Sequence, residues 1–512
     1  MAAPTMTTPF VRIPERTDIA KMLPHARLEN GELLVPHGPA EVKILRSLGH
    51  DVPSSLVHYD WCGWQPFRIQ IATTEMLVSN QRGYVLNSMG TGKTKCVLWA
   101  YDHLRQMHAV RKMLVVAPLS TLRFVWGNEI LMTTPQYKFA VLHGDRNKRL
   151  RLLDLNDIDI YIINHDGFKI IAKELAARPD IDVICFDELA AYRNKTERTK
   201  VAASIAQLKP VVWGLTGAPT PNAPTDTFWQ AKVITPKTVP KYWGMFRDEL
   251  MYRVSQFKWL PKNNAIERAI AVLQPSVRFT LDDVVELPEF VSRNVEVELS
   301  DRQRQVYREI QRACVSLIDK KQITAVNAGA VMTKLLQISL GWVYADGHRT
   351  VDLDARGRQQ ALIDLCEAAA HKVLVFVPYK HALHGLRQAL TKAGRDVACV
   401  SGDTSPRERS EIFNAFQNTG QYTDLLAHPG CVAHGLTLTA ADTVIWFGPV
   451  TSSEVYEQAN ARIRRVGQQH RQLFLHLQAS PVERKLYGLL INKVRVQDRL
   501  LELIEEMSRE MM

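Results

Sequence analysis

Three stretches of this sequence place residue types at spacings that can do chemistry on a phosphate. In "YVLNSMGTGKTKCVLWA" (Tyr84–Ala100) an apolar run enters a Gly-rich turn and leaves it as a helical-looking segment. Bare backbone N–H groups at a helix start bind an anion, a Lys reaches the β/γ-phosphates and a hydroxyl reaches Mg²⁺. Lys93 and Thr94 stand where the last two roles fall. The usual pattern carries Gly where this chain has Asn87. Asn tolerates left-handed backbone best after Gly, so a mild departure is expected. A Gly-Lys-Thr tripeptide alone is a weak signal that an ordinary turn also explains.

The second stretch, "VICFDELA", sets Asp187 and Glu188 at the end of an apolar run. Adjacent carboxylates closing a buried strand are costly without a cation. Beside a phosphate loop that cation is Mg²⁺, with Asp187 holding it and Glu188 orienting or deprotonating an attacking water. Capping of a helix is the competing explanation. In the third, "VYEQANARIRRVGQQ", Gln458, Arg462 and Arg465 fall at spacings of four and three, which predicts one helical face. Arginines so aligned can reach a γ-phosphate; taken by itself, the segment is better explained as a salt-bridged surface helix. "GLTGAPTPN" supplies Thr216 and Gly217 before a Pro-rich turn.

Elements must position these groups. Short apolar, β-branched runs occur at "GYVLN", "KMLVVAP", "IDIYIINH", "IDVICFDE" and "PVVWGLTG", separated by segments with helical spacing. That alternation predicts a parallel sheet covered on both faces, with ligands at the carboxyl ends of its strands. A second series, "HKVLVFVP", "RDVACVSG", "TDLLAHP", "DTVIWFGP" and "RQLFLHL", predicts another α/β lobe. Between them an alternating run ends at Ser300-Asp301, a good N-cap for the helix that follows, and is read as a bridge. The tail from Pro481 places Leu486, Leu489, Leu490, Leu500 and Ile504 on helical faces and is expected to pack on the second lobe. The expected divisions are an accessory segment (1–60), a first lobe (61–280), a connector (281–350), a second lobe (351–480) and C-terminal helices (481–512).

The 512 residues exceed one ordinary core. Seven scattered cysteines without a C-x-x-C pair read as reduced core residues, not a zinc site. The N-terminus has no apolar h-region and no run is long enough to span a bilayer, so an intracellular soluble protein is expected. A net charge of +11 favours an anionic partner, nucleic acid first. The clusters "RNKRLR" (146–151) and "RIRRVGQQHR" (462–471) are basic; a solvated helix face explains the first.

Taken together, the motifs resemble those of the superfamily 2 helicases and translocases, most closely the Swi/Snf-type branch of DNA-dependent ATPases. "SMGTGKT" is similar to motif I of that branch, and "VVAPLSTLRFVWGNEI" to motif Ia with Pro118, Ser120, Trp126 and Glu129 in place. "FDELAAYRN" resembles motif II, "LTGAPTPNAPTDTFW" motif III, "HGLTLTAADTVIWFGP" motif V and "YEQANARIRRVGQ" motif VI. The resemblance runs from about residue 62 to about 478. It departs in motif II, where the coupling His is Ala190, in motif VI, where an expected His is Arg464, and in "PGCVAHG" ahead of motif V. These departures leave the hydrolytic residues intact and bear on how tightly ATP and DNA are coupled.

The resemblance implies two tandem RecA-like α/β lobes with a nucleotide cleft between them, and ATP with Mg²⁺ as cofactors. Gln70, Met89, Gly90, Thr91, Gly92, Lys93 and Thr94 would bind ATP, with Phe67 or Arg68 stacking near the adenine. Thr94 and Asp187 would hold the metal, and Lys93, Glu188, Gln458, Arg462 and Arg465 would carry turnover. Nucleic acid would meet Ser120, Thr121, Asn164, His165, Ser401, Gly402, His434 and Thr437. N-capping competes with contact at Ser120 and Thr121, and Trp126 and Trp229 read as core anchors. The expected partner is duplex or branched DNA, bound by a monomer off the membrane in a bacterial or host cytoplasm, with a nuclear location open. An RNA-dependent ATPase of the same superfamily, a non-catalytic nucleic-acid scaffold and a small-molecule P-loop kinase are the rivals.

Overall fold

A computed structural model of the protein describes residues 10–14, 23, 25–220, 223–255, 259–280, 283, 290–319, 325–344, 350–432, 437–465 and 468–492. The chain divides into two compact units, Met1–Val284 and Val285–Met512.

The first unit opens with a small antiparallel sheet of β1 (Phe10–Pro14), β2 (Arg27–Glu29) and β3 (Glu32–Pro36), in the order β1-β3-β2. With the Pro39–Ser47 helix it closes over Ile13, Leu33, Val35, Val42 and Leu45. The main sheet consists of β4 (Arg82–Val85), β5 (Lys112–Ala117), β6 (Phe139–Leu142), β7 (Ile160–Asn164), β8 (Ile181–Phe186) and β9 (Val211–Leu215). A short antiparallel pair, β10 (Met251–Arg253) and β11 (Trp259–Pro261), precedes the last strand, β12 (Ser276–Val277). The seven main strands are all parallel, in the order β12-β4-β9-β8-β5-β7-β6.

Side chains alternate across a strand, so a sheet covered on both faces needs apolar residues at every position. β5 obeys this: Leu114 and Val116 enter one core while Met113, Val115 and Ala117 enter the other. The apolar runs noted in the sequence all form strands. β6, a four-residue edge strand, was not among them.

The second unit has a six-stranded parallel sheet of β13 (Phe290–Glu296), β16 (Lys372–Phe376), β17 (Val397–Val400), β18 (Asp424–Ala427), β19 (Ala441–Trp446) and β20 (Gln472–Gln478), ordered β13-β20-β19-β16-β18-β17. β14 (Trp342–Tyr344) and β15 (Thr350–Asp352) form a separate antiparallel pair. The alternating run read as a bridge is therefore itself a sheet edge: β13 pairs with β20 in register Phe290 to Gln472 through Glu296 to Gln478. Its partly exposed alternation is that of an edge. Ser300 caps the helix that follows, with its Oγ accepting from the Gln303 N–H at 3.2 Å and the Gln303 Oε1 accepting from the Ser300 N–H at 3.0 Å.

A buried ion pair ties this unit together. The Arg358 guanidinium donates to both Glu483 carboxylate oxygens, at 2.6 and 3.3 Å, and to the carbonyls of Ser339, Phe447 and Leu477. Glu483 opens the Pro481–Ile491 helix in a capping box with Ser480, and Leu486 and Leu490 of that helix enter the second unit's core. Leu500 and Ile504 lie outside the described residues.

Candidate nucleotide site

Every first-unit residue singled out for phosphate or metal chemistry sits at the carboxyl edge of the seven-stranded sheet, on strands that are neighbours in the order β4-β9-β8-β5. β4 leads into a loop whose Gly90 and Gly92 have φ of 84° and 81°. These are left-handed values that favour glycine. A Cβ on Gly92 would lie 2.4 Å from the Gln70 amide nitrogen. Gly92 is also the N-cap of the Lys93–Gln106 helix and supplies no side-chain cap to the first-turn N–H groups.

The loop is braced from three sides. Gln70 donates from Nε2 to the Thr91 carbonyl at 3.1 Å and accepts from the Phe67 N–H at 3.1 Å. The Thr91 hydroxyl donates to the Ser88 carbonyl at 2.9 Å, and Lys93 Nζ donates to the carbonyls of Asn87 and Ser88 at 2.8 and 3.1 Å. The departure at Asn87 has a different basis from the one expected. Asn87 is not among the residues with positive φ. It serves as a tie: its Nδ2 donates to the Thr73 hydroxyl at 2.9 Å and its Oδ1 accepts from the Phe279 N–H at 3.0 Å. A glycine could make neither bond.

β8 delivers Asp187 and Glu188. The Asp187 N–H donates to the Val116 carbonyl of β5 at 2.8 Å, which fixes the backbone. Its carboxylate accepts from the Glu188 N–H at 3.0 Å and, at Oδ2, from the Trp126 indole Nε1 at 2.9 Å. Desolvation pushes the Asp187 carboxyl above the ordinary carboxylate value, while the Trp126 bond and the Lys93 charge pull it back. Glu188 has φ 50°, an uncommon left-handed conformation for a side chain of its size. At the end of β9, the Thr216 N–H bonds the Val85 carbonyl at 3.0 Å, and Gly217 lies where a Cβ would be 3.5 Å from both the Asn87 oxygen and Met89 Cγ. The donor set fits a Mg²⁺ nucleotide: a helix start without a side-chain cap, a Lys and a Thr in its first turn, and beside them a half-buried carboxylate with two uncharged donors among the described residues.

The residues assigned to nucleic acid are divided. Ser120 is exposed, but Thr121 is buried and donates to the Pro118 carbonyl at 2.9 Å. Asn164 Oδ1 accepts from Arg149 Nη1 at 3.1 Å, and His165 is buried with Nδ1 2.9 Å from the Tyr192 hydroxyl. Arg149, from the first basic cluster, is thus a buried clamp on the ends of β6 and β7, also bonding the Gly144 and Leu142 carbonyls. In the second unit, Gly402 and Thr437 are exposed, and Ser401 Oγ accepts from the Asp403 N–H at 3.2 Å. His434 lies outside the described residues.

Gln458, Arg462 and Arg465 do not share one helix. The α-helix covers Ser453–Asn460, and beyond it the Arg462 and Ile463 N–H groups bond three residues back, to Ala459 and Asn460. The Arg464 N–H still reaches four residues back, to the Asn460 carbonyl at 3.2 Å, so the chain continues past the helix in mixed turns. Arg462 is still held close, its Nε donating to the Gln458 carbonyl at 2.9 Å. Sequence reasoning missed the Trp126–Asp187 bond and the Asn87 tie, both of which join residues distant along the chain.

Fold and site define a P-loop ATPase built from two RecA-like parallel-sheet lobes. The SNF2-related domain matches residues 54–346 and the helicase conserved C-terminal domain matches residues 357–467. The chain belongs to the SNF2 family of ATP-dependent helicases and translocases. It is similar to protein p41 of Acyrthosiphon pisum secondary endosymbiont phage 1, at 26% identity over 83% of this chain and 95% of that one. It is 23% identical to an uncharacterized ATP-dependent helicase of Mycoplasma genitalium over 77% of this chain and 37% of that protein. For a SWI/SNF-related matrix-associated actin-dependent regulator of chromatin subfamily A-like protein 1 of Xenopus laevis the figures are 23%, 75% and 38%. The chain therefore spans little more than a third of these two longer relatives. Among solved structures, the Sulfolobus solfataricus SWI2/SNF2 ATPase core in complex with dsDNA matches at 22% identity and a TM-score of 0.42, covering 84% of this chain and 91% of that one.

Proposed function

We propose that the protein hydrolyses ATP in response to DNA and uses the turnover to move along duplex or branched DNA. The observation that carries this reading is the half-filled Asp187 carboxylate set beside an uncapped helix start on the same sheet edge. Lys93 and the N–H groups of Gly90–Thr94 bind phosphates, and Thr94 and Asp187 hold Mg²⁺, which when bound neutralises charge on the transferring phosphoryl group. Glu188 orients the attacking water and takes its proton. Gln458 positions that water, and Arg462 and Arg465 neutralise developing charge. Gln70 holds the phosphate loop and reads adenine from the same position. Ser120, Gly402 and Thr437 are the exposed candidates for phosphate contact.

The net charge of +11 supports a grip on the phosphate backbone that is indifferent to sequence and weakens with salt. Residues 1–60 are assigned as an accessory segment, and the protein acts as a monomer that moves on duplex without necessarily parting strands. Among the described residues no helix is long and apolar enough to cross a membrane. The test is the ATPase rate without nucleic acid and with single-stranded DNA, duplex DNA or RNA, at two salt concentrations. Stimulation by duplex DNA that fades with salt is expected. Stimulation by RNA alone would replace DNA as the partner, and a rate that no nucleic acid changes would defeat the motor reading.

A further inference from the structure

The Trp126 indole is fully buried, and its single N–H points at a carboxylate oxygen of Asp187, 61 residues away in sequence. Trp213, by contrast, donates to a backbone carbonyl and Trp446 to an amide oxygen. Trp126 is presented by an unusual backbone. The chain leaves β5 through a 3₁₀ turn at Leu119–Thr121, runs through a π-helical turn at Leu122–Gly127 and becomes an α-helix at Asn128–Thr133. A π-turn inserts one residue per turn and re-aims what it carries; such turns are rare and concentrate at functional sites. The entry to this one is on the surface, where Leu119 is 58% exposed and Ser120 is exposed. Its far end is pinned: a Cβ on Gly127 would be 3.2 Å from the Phe139 ring, and Glu129 pairs at 3.6 Å with Lys95 of the phosphate-loop helix.

One continuous segment thus joins an exposed edge, the metal carboxylate and the helix that follows the phosphate loop. We propose that Trp126 is a positioning residue for Asp187, and that its π-turn carries the effect of a nucleic acid seated at Leu119–Thr121 to the Mg²⁺ site. The inference rests on the nucleotide and DNA reading above. Ala190, buried beside Asp187 and Glu188, has no side-chain hydrogen bond to offer for that purpose. An N–H donor on a metal-binding carboxylate fixes the oxygen that faces the ion, and loss of such an outer partner costs about 10- to 100-fold in metal affinity or activity.

The experiment compares the full-length chain with Trp126→Phe, which keeps ring packing and removes the donor, and Trp126→His, which keeps a ring N–H. Affinity for a fluorescent ADP is measured against Mg²⁺ concentration, with and without duplex DNA. Trp126→Phe is expected to bind ADP without Mg²⁺ as the unaltered chain does, to need about 10-fold more Mg²⁺ for half-maximal tightening, and to lose the effect of DNA on that tightening. Trp126→His should recover part of both. By reciprocity, Mg²⁺-ADP must change DNA affinity in the unaltered chain by the factor that DNA changes Mg²⁺-ADP affinity. An unaltered Mg²⁺ and DNA response in Trp126→Phe overturns the proposal. Should neither variant fold, the unaltered chain still decides: DNA that leaves Mg²⁺-ADP affinity unmoved overturns it, and a reciprocal shift supports it. A chain that binds neither DNA nor Mg²⁺-ADP defeats the functional reading itself.

Discussion

Asp187 of the first unit and Glu483 of the second are both carboxylates at the carboxyl end of a parallel sheet, yet their surroundings are opposite. Glu483 is fully buried and saturated: Arg358 reaches both oxygens, and the Ala479 N–H, Ser480 N–H and Ser480 hydroxyl converge on Oε2. Asp187 is half-buried and, among the described residues, accepts two bonds, both from uncharged donors. A carboxylate has about four lone-pair sites, so half of the Asp187 capacity remains. Asp102 shows that this difference is not just a matter of having a cation. Fully buried, it takes Tyr59, Gln106, Gln136 and Tyr137, four neutral donors that fill it. The fold completes a carboxylate where the carboxylate's work is structural, and leaves one incomplete beside the phosphate loop.

The largest expected effect lies on the open side. Lys93→Ala should lower ATP turnover at least about 1000-fold while DNA affinity stays within about twofold; retained turnover would remove Lys93 from the site. On the closed side, Glu483→Ala leaves the Arg358 charge uncompensated in the interior and should cost about 3–5 kcal/mol of second-unit stability, read by denaturant unfolding. Asp187→Asn should abolish turnover and, because its Nδ2 would face either the Trp126 or the Glu188 N–H, cost about 1–3 kcal/mol; a stability loss equal to that of Glu483→Ala would erase the distinction between the two carboxylates.

A third carboxylate and a histidine sharpen the picture at smaller scale. Asp102→Asn mismatches donors against donors and should cost about 1–3 kcal/mol without touching Mg²⁺ dependence. His476 is buried with Nε2 2.7 Å from the Tyr456 hydroxyl, and burial depresses its pKa from 6.5 to about 4. The unfolded chain binds the extra proton first, so stability is full above about pH 6.5 and falls as pH drops toward 4, by about 3 kcal/mol at most. Unfolding of His476→Gln should lack that component of the pH dependence; an identical slope would show that other groups set it.

Much of this was legible in the sequence for a physical reason. Strands buried on both faces are continuous apolar runs, and the chemistry-bearing residues follow those runs directly, as Gly90–Thr94 follow β4 and Asp187 follows β8. What was not legible depends on partners distant along the chain. Nothing local announces that Trp126 will meet Asp187, that Asn87 will bond Thr73 and Phe279, or that the run at 290–296 will pair with β20. Nor does a spacing of four and three reveal that the helix ends at Asn460. β6 escaped because four residues carry too little pattern to stand out.

The central claim is that the open carboxylate is where the metal of the nucleotide binds. Its most direct test is the affinity of fluorescent ADP with and without Mg²⁺ in the unaltered chain and in Asp187→Asn. The account predicts that Mg²⁺ tightens binding about 10-fold or more in the unaltered chain and has almost no effect in the variant, with metal-free affinities alike. Equal Mg²⁺ tightening in both proteins would contradict it.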